Sequence, residues 1–348
     1  MVNRPTLGFR LGRRSALSVL AVTIACGSLL LAACGRNAPP APTATGGLRV
    51  VATTPMLGDL VRRIAPEASS EHLIGEGVDP HLYKPTRTDI VALSEADVIV
   101  ANGLLLEGRM SDAFDRAEEA GRLVVRVAER LPAELLRQEA GDAGASEGHG
   151  ATDPHIWMDP TLWAKAGMRL ADALAERDPA NALAYRSNGA NFTAAATELA
   201  RRAHQAIATV PADRRVLVTA HDAFGYLGAQ FALEVHAIQG ISTESEAGLA
   251  DLEGLVDFLV ERRVPAVFVE STVSPRTIEA LIAGAKARGH EVRIGGELFS
   301  DSMGAPGSFE GTWPGMFAHN IATIVNALGG SADAKSLVPE ALLTADRP

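Results

Sequence analysis

The sequence predicts an α/β fold with two lobes of mainly parallel sheet and flanking helices. Short apolar runs alternate with longer stretches of helical spacing, which is the pattern of parallel strands joined by helices. The pattern occurs on both sides of a long segment without strand character, and 348 residues are enough for two lobes. The predicted strand runs are Leu48–Thr53, His72–Ile74, Val98–Ala101, Leu123–Val125, Val216–Thr219, Val235–Ile238, Val267–Val269 and Glu291–Ile294.

The N-terminal segment is typical of an exported bacterial lipoprotein. Its first part holds four arginines and no acidic residue, and an apolar run follows over Ala16–Ala33. The run ends in Leu31-Ala32-Ala33-Cys34, which matches a lipobox, in which Cys34 is acylated and becomes the new N-terminus. The alternative is an uncleaved transmembrane anchor, for which this run is at the short end of the spanning range.

These features suggest a division of the chain and a location outside the cytoplasm. Both cysteines lie at or before position 34, so the mature protein has neither a disulfide nor a thiolate metal site. The formal net charge of −10 argues against a nucleic-acid partner, and we expect a monomer anchored to the outer face of the membrane. We expect a lipoprotein signal peptide at 1–33, a flexible tether at 34–47, an N-terminal α/β lobe at 48–187, a connecting helix at 188–212 and a C-terminal α/β lobe at 213–348.

The segment between the two groups of strands predicts a long amphipathic helix. After Asn188, apolar residues recur at three- and four-residue steps, so they share one helical face. Two interpretations are open: an ordinary surface helix, or a rigid connector between the lobes. The apolar positions are Phe192, Ala196, Leu199, Ala203, Ile207 and Val210.

Residues 137–152 predict a mobile surface loop, because they are rich in glycine, alanine and acidic residues. The loop contains Glu147 and His149, which could meet a metal ion transiently. A solvated loop with one isolated histidine is the simpler interpretation.

Two histidines follow the same tripeptide in distant loops, Asp79-Pro80-His81 and Asp153-Pro154-His155. Proline fixes its own φ and favours an extended conformation in the residue before it. Each histidine therefore sits on a stiff, non-helical backbone, which suits a ligand held ready for a metal ion. One such motif is weak evidence, whereas two in one chain point to a shared metal site.

Further candidates lie where predicted strands end. His221 follows the run Val216–Thr219, and Asp301 follows another segment of this kind. Ligands of α/β folds bind outside the carboxyl ends of strands, so these residues could converge with His81 and His155 across a cleft. Glu270, after Val267–Val269, is either a hydrogen-bond acceptor for a ligating imidazole or an acidic residue at the start of a helix.

Three imidazoles and one carboxylate suit a single divalent transition metal. Neutral imidazole with oxygen in a tetrahedral arrangement is typical of Zn²⁺. Mn²⁺ prefers more oxygen, which a bidentate carboxylate could partly supply, and ferrous iron is also compatible. Ca²⁺ and Mg²⁺ prefer shells made of oxygen alone and are disfavoured.

These motifs resemble those of the TroA-like solute-binding lipoproteins of ABC-type zinc and manganese importers, and the resemblance covers nearly all of the mature chain. The segments that carry it are Val51–Asp59, Gly77–Tyr83, Ala101–Leu104, Asp153–Asp159, Thr219–Phe224, Val269–Ser271 and Phe299–Gly304.

The resemblance implies two α/β lobes joined by one long rigid helix, with a metal ion buried between them. It places the family's first, second and last ligands on His81, His155 and Asp301. The third ligand varies between His and Glu in the family and is His221 here. Zinc-specific members often carry a long histidine-rich acidic loop, whereas the matching loop here holds only His149, which keeps manganese open.

The leading functional hypothesis is a binding protein, not an enzyme, that captures Zn²⁺ or Mn²⁺ outside the membrane and passes it to an ABC permease. A rigid connecting helix implies modest lobe motion. The rival hypothesis is a zinc hydrolase, but four protein ligands leave no open position for water, and the chain has no His-Glu-x-x-His motif. A surface adhesin is a third class, which the sequence neither supports nor excludes.

Overall fold

The computed structural model describes Met1, residues 47–138 and residues 152–343. The predicted signal peptide at 1–33, Cys34 and nearly all of the tether lie outside the described residues, as do Glu147 and His149. Among the described residues, no helix combines the length and the apolar composition needed to cross a bilayer.

The N-terminal half is built on a four-stranded parallel sheet in the order β2-β1-β3-β4. The central strands β1 and β3 are apolar and almost wholly buried, as expected for parallel strands covered on both faces. The elements are β1 (Arg49–Ala52), α1 (Pro55–Ile64), β2 (Ser69–His72), α2 (Arg87–Glu95), β3 (Val98–Ala101), α3 (Ser111–Glu119) and β4 (Leu123–Arg126).

Strand β2 corrects one predicted boundary. The apolar run His72–Ile74 predicts a strand there, whereas the strand occupies Ser69–His72 and overlaps the run only at His72. β2 lies at the edge of the sheet, and its residues alternate between exposed and half-buried. An edge strand that is largely open to solvent does not require an apolar run. Ser69–His72 therefore lacks the apolar pattern from which the other strands were predicted.

Two long helices fill the middle of the chain: α4 (Pro160–Arg177) and α5 (Ala182–Ile207), with Pro179 between them. The predicted connecting helix at 188–212 therefore exists, but it begins six residues earlier and ends at Ile207. Its 26 residues span about 39 Å at 1.5 Å per residue. Its buried face contacts α1 of the N-terminal half and a helix of the C-terminal half, so α5 touches both; the exact domain boundaries stay a prediction.

The C-terminal half pairs β5 with β6 and β7 with β8, both in parallel, and β5 lies against β7. Strand β8 begins at Arg293, two residues after the start of its predicted run. The elements are β5 (Val216–His221), α6 (Gly225–Phe231), β6 (Glu234–Gln239), α7 (Leu249–Arg262), β7 (Ala266–Glu270), α8 (Arg276–Ala287), β8 (Arg293–Leu298), α9 (Trp313–Ala327), α10 (Ala334–Leu337) and α11 (Glu340–Leu343).

The largest apolar core runs through both halves. It joins residues of β1 and β3 to the α4–α5 pair and to Trp313 and Phe317 of α9. Smaller clusters cover the other face of each sheet. One packed core therefore supports both halves.

Candidate metal centre

Each of the two Asp-Pro-His loops folds around its own aspartate. The backbone N–H of His81 donates to Asp79 Oδ1 at 2.8 Å, and that of His155 donates to Asp153 Oδ1 at 2.9 Å. These bonds join residues two positions apart, which is an Asx-type turn. The turn and the proline together fix the backbone from which each imidazole projects.

His221 is the last residue of β5, and Glu270 is the last residue of the neighbouring β7. Glu270 Oε1 accepts the backbone N–H groups of Ala220 and His221 at 2.7 and 2.9 Å. Its other oxygen, Oε2, lies 2.5 Å from Nδ1 of His221. With Nδ1 engaged by a carboxylate, Nε2 of His221 is left free to point into the cleft. Glu270 is thus placed as a hydrogen-bond acceptor for the imidazole of His221, and the role of that imidazole as a metal ligand stays a prediction.

Asp301 lies three residues beyond the end of β8, in a loop that is hydrogen-bonded to α9 and to the loop of His155. Asn320 of α9 bonds both the backbone N–H and the carbonyl of Phe299, at 2.9 and 2.7 Å. Trp157 Nε1 donates to the carbonyl of Ser300 at 2.8 Å, which joins the His155 loop to the Asp301 loop. The backbone of the two residues before Asp301 is thus held in place, which positions the carboxylate.

The four predicted donors converge in space. One ligand atom from each of His81, His155, His221 and Asp301 lies within 4.8 Å of the others, and no other such group occurs among the described residues. Nε2 of His81 lies 3.4 Å from Nε2 of His155 and 3.7 Å from Asp301 Oδ2. Nε2 of His155 and of His221 each lie 3.2 Å from an Asp301 oxygen.

These separations are those of ligands around one ion. Two ligands of a tetrahedral ion with bonds of about 2.05 Å lie roughly 3.3 Å apart. All four residues are buried, with His81 4% exposed and the other three 0%. His221 Nε2 and both Asp301 oxygens have no hydrogen-bond partner in the described part of the chain, although they lie close together. Buried polar atoms without a partner are costly, and a shared cation would satisfy them together.

The first two imidazoles differ in basicity. Burial and the neighbouring His155 and His221 lower the pKa of His81 to about 4, against the opposing charge of Asp301. For His155, burial alone would lower the pKa. The charge of Asp301 and the hydrogen bond to Asp153 outweigh it and raise the pKa to about 9. At neutral pH His155 therefore carries a proton, whereas His81 is neutral.

His221 and Asp301 stabilise each other's charged forms. Burial opposes the charged form of His221, but the charges of Glu270 and Asp301 raise its pKa well above the usual value. Burial likewise opposes the charged form of Asp301, and the adjacent imidazoles of His221 and His155 hold its pKa well below the usual range. The carboxylate is therefore ionised. The imidazoles of His155 and His221 carry protons that a metal ion would displace.

Several residues around the centre were not identified from the sequence. Asp153 Oδ1 lies 2.8 Å from Nδ1 of His155 and so orients that ring as Glu270 orients His221. Asn102 Nδ2 donates to the carbonyl of Pro154 at 2.9 Å, which steadies the same loop. The aspartate two residues before each histidine was a visible pattern, whereas the contact of Asn102 depends on tertiary structure.

The remaining described histidines make other contacts. His290 Nε2 lies 2.8 Å from the carbonyl of Val264, and His319 Nε2 lies 3.1 Å from that of Glu297. His204 packs against the ring of Phe231 with centroids 4.7 Å apart. None of them belongs to the group of converging donors.

Comparisons with known proteins agree with this geometry. The family model for ZnuA, the periplasmic component A of a zinc-uptake complex, matches residues 50–327. The manganese-binding lipoprotein MntA of Bacillus subtilis (strain 168) is 41% identical over 300 residues, covering 86% of this chain and 95% of the relative. The zinc-binding protein TroA of Treponema pallidum (strain Nichols) is 40% identical over 287 residues, covering 82% and 90%.

The fold matches as well. The solved structure of the periplasmic zinc-binding protein TroA of Treponema pallidum superposes with a TM-score of 0.75, over 81% of this chain and 99% of that one. This confirms the predicted α/β fold and the resemblance, and the hydrolase alternative finds no support among these relatives. The chain belongs to the ZnuA/TroA family of metal-binding, substrate-binding proteins of ABC importers, which are transport proteins and not enzymes.

Proposed function

We propose that this protein captures one divalent transition-metal ion, Zn²⁺ or Mn²⁺, outside the cytoplasmic membrane and delivers it to an ABC-type permease. The observation that carries the proposal is the buried convergence of four donors whose Asp301 oxygens have no hydrogen-bond partner within the described part of the chain. Family membership supports the same function, because relatives named for metal binding cover most of the chain.

In this proposal the ligand atoms are Nε2 of His81, His155 and His221 together with the carboxylate of Asp301. Glu270 and Asp153 are not ligands. Each accepts a hydrogen bond from Nδ1 of a ligating imidazole, which fixes the ring orientation and makes the ligand more basic.

The donor set leaves two metals in competition. Three imidazoles favour Zn²⁺, whereas both oxygens of Asp301 face the imidazoles and could add a fifth ligand for Mn²⁺. Relatives of nearly equal identity are named for manganese and for zinc, so sequence similarity alone does not choose between them.

The test is elemental analysis of protein purified without added metal, followed by competition between Zn²⁺ and Mn²⁺. We expect one ion per chain. A well-folded metal-free preparation that binds neither ion would refute the proposal.

We also propose that acylated Cys34 anchors a monomer to the outer face of the membrane. The lipobox supports the anchor, and a relative at 41% identity is named a lipoprotein. The variant Cys34→Ala should move from the membrane fraction to the soluble extracytoplasmic fraction while its metal affinity stays unchanged. Light scattering should give the mass of a single chain, and a variant that stays in the membrane fraction would contradict the lipid anchor.

A further inference from the structure

The segment Ile241–Glu244, which follows β6, lies against the first histidine loop from the opposite side of the cleft. Thr243 Oγ1 donates to Asp79 Oδ2 at 2.6 Å. Beside it, Arg109 Nε donates to Glu244 Oε1 at 2.9 Å. The N-terminal half supplies Asp79 and Arg109, whereas the C-terminal half supplies Thr243 and Glu244. Two contacts therefore join the halves close to His81.

Residues of this segment also line a cavity beside His81. A cavity of about 590 Å³ opens here, and of the four donor residues it is lined by His81. Other lining residues are Leu104, Leu105, Arg109, Ile241 and Glu244. Of the four donors, His81 is the one that an ion in this cavity would meet, and the Ile241–Glu244 segment lines the cavity together with Pro154 of the second histidine loop.

Asp79 connects the segment to His81. One of its oxygens accepts the backbone N–H of His81 at 2.8 Å, and the other accepts the hydroxyl of Thr243. No hydrogen bond joins the ring Nδ1 of His81 to a carboxylate among the described residues, whereas Nδ1 of His155 and His221 each have one. His81 therefore relies on its backbone turn, and that turn relies on Thr243.

We propose that Thr243 is a positioning residue for metal release. While Thr243 holds Asp79, the His81 loop is fixed and the cavity is closed at its inner end. When this bond breaks, the segment Ile241–Glu244 and the His81 loop separate, and His81 is the first ligand to leave the ion. The inference rests on the proposed metal-binding function and adds the order in which the ligands dissociate from the ion.

The test compares Thr243→Val, which keeps the shape and removes the hydroxyl, with Thr243→Ser, which keeps the hydroxyl. The measured quantity is the rate at which Zn²⁺ passes from the full-length protein to an excess of a chromogenic chelator. We expect Thr243→Val to release Zn²⁺ about tenfold faster, at the lower end of the roughly 10- to 100-fold effects of outer partners of metal ligands. Thr243→Ser should release it at close to the wild-type rate.

A matched control is Thr197→Val, on the exposed face of α5, where the hydroxyl donates to the carbonyl of Thr193 at 2.8 Å. It should release Zn²⁺ at the wild-type rate. The Co²⁺ absorption spectrum of Thr243→Val should match that of the wild type, because all four ligands remain, and its metal-free thermal midpoint should be unchanged, because Thr243 is partly exposed.

The outcomes separate the two proposals. If the wild type binds no metal, the proposed function fails. If the wild type binds and Thr243→Val releases Zn²⁺ at the wild-type rate, only the role of Thr243 is refuted. Equal acceleration in Thr243→Val and Thr243→Ser, or a lowered metal-free thermal midpoint that accounts for the faster release, would also refute it.

Discussion

The two Asp-Pro-His loops share a tripeptide and differ in what their aspartates contact. Asp153 uses one oxygen, Oδ1, for both the backbone N–H and the ring Nδ1 of His155. Asp79 binds the backbone N–H of His81 and turns its other oxygen to Thr243 across the cleft. The same motif thus makes a fully oriented ligand in one loop and a ligand tied to the opposite half in the other. The difference comes from the neighbours that the fold supplies.

The loops also differ in their anchors. The His155 loop is held by Asn102 through the carbonyl of Pro154 and by Trp157 through the carbonyl of Ser300. The His81 loop is held across the cleft by Thr243 and by a bond from the Gly77 N–H to Ser302 Oγ at 2.9 Å. We infer that the His155 side is the fixed wall of the metal centre and that the His81 side is the wall that yields.

The largest expected difference is between the two histidines themselves. His155→Ala should weaken Zn²⁺ binding by more than about 100-fold, beyond the range found for partners of metal ligands, because it removes a fully oriented ligand. His81→Ala should cost less, because a water molecule reaching the site through the adjoining cavity can take the vacant position. Competition with a fluorescent chelator measures both, and equal losses would contradict the division into fixed and yielding walls.

A smaller difference is expected between the two aspartates. Asp153→Asn keeps the shape but removes the charge that orients and polarises His155, so Zn²⁺ affinity should fall by roughly 10- to 100-fold. Asp79→Asn should lower it by about tenfold or less, because Asp79 bonds the backbone N–H of His81 and not its ring nitrogen. Equilibrium titration of both variants tests this order. A greater loss for Asp79→Asn would show that the backbone turn matters more than ring orientation.

The pKa values predict how binding depends on pH. The pKa of His155 is raised to about 9, so a metal ion must displace its proton, whereas that of His81 is lowered to about 4 and the ring is already neutral. Affinity should rise from pH 6 to pH 8 by about tenfold per unit for each proton displaced. Calorimetry in buffers of different ionisation enthalpy counts these protons.

His81→Ala serves as the control for that measurement. On binding metal, this variant should release as many protons as the wild type, because the imidazole of His81 in the wild type carries no proton between pH 6 and pH 8. Affinity that does not change between pH 6 and pH 8, or a lower proton count in His81→Ala, would contradict the placement of the displaced protons on His155 and His221 and not on His81.

The smallest expected effect concerns the ion pair beside Thr243. Both side chains of the Arg109–Glu244 pair are partly exposed, at 34% and 52%. Exposed pairs contribute about 1 kcal/mol at most, so Arg109→Ala should change the Zn²⁺ release rate by less than roughly fivefold. The difference should shrink further at high salt, because ions screen exposed charges. A larger effect than that of Thr243→Val would place the main contact between the halves at this pair.

Much of the fold was predictable because central parallel strands are buried on both faces and read as apolar runs. β2 was misplaced because it lies at an edge and has no such run. The early start of α5 at Ala182 was missed because its first turns lack the apolar repeat that marks the later ones.

The site was predictable to the extent that its residues carry local patterns. His81 and His155 follow a repeated motif, and His221 and Glu270 end neighbouring strands, so their convergence follows from the order of parallel strands. The contacts made by Asp79, Asn102 and Thr243 join residues 52 to 164 positions apart, and no local pattern encodes them. Only the packing of the two halves brings those side chains together.

The central claim is that one ion lies between three imidazoles and one carboxylate. The most direct measurement is a crystal structure of the Zn²⁺-loaded protein with anomalous data on both sides of the zinc edge. We predict one anomalous peak within about 2.0–2.2 Å of Nε2 of His81, His155 and His221 and of an Asp301 oxygen. A peak elsewhere, or one that any of these four residues does not contact, would contradict the account.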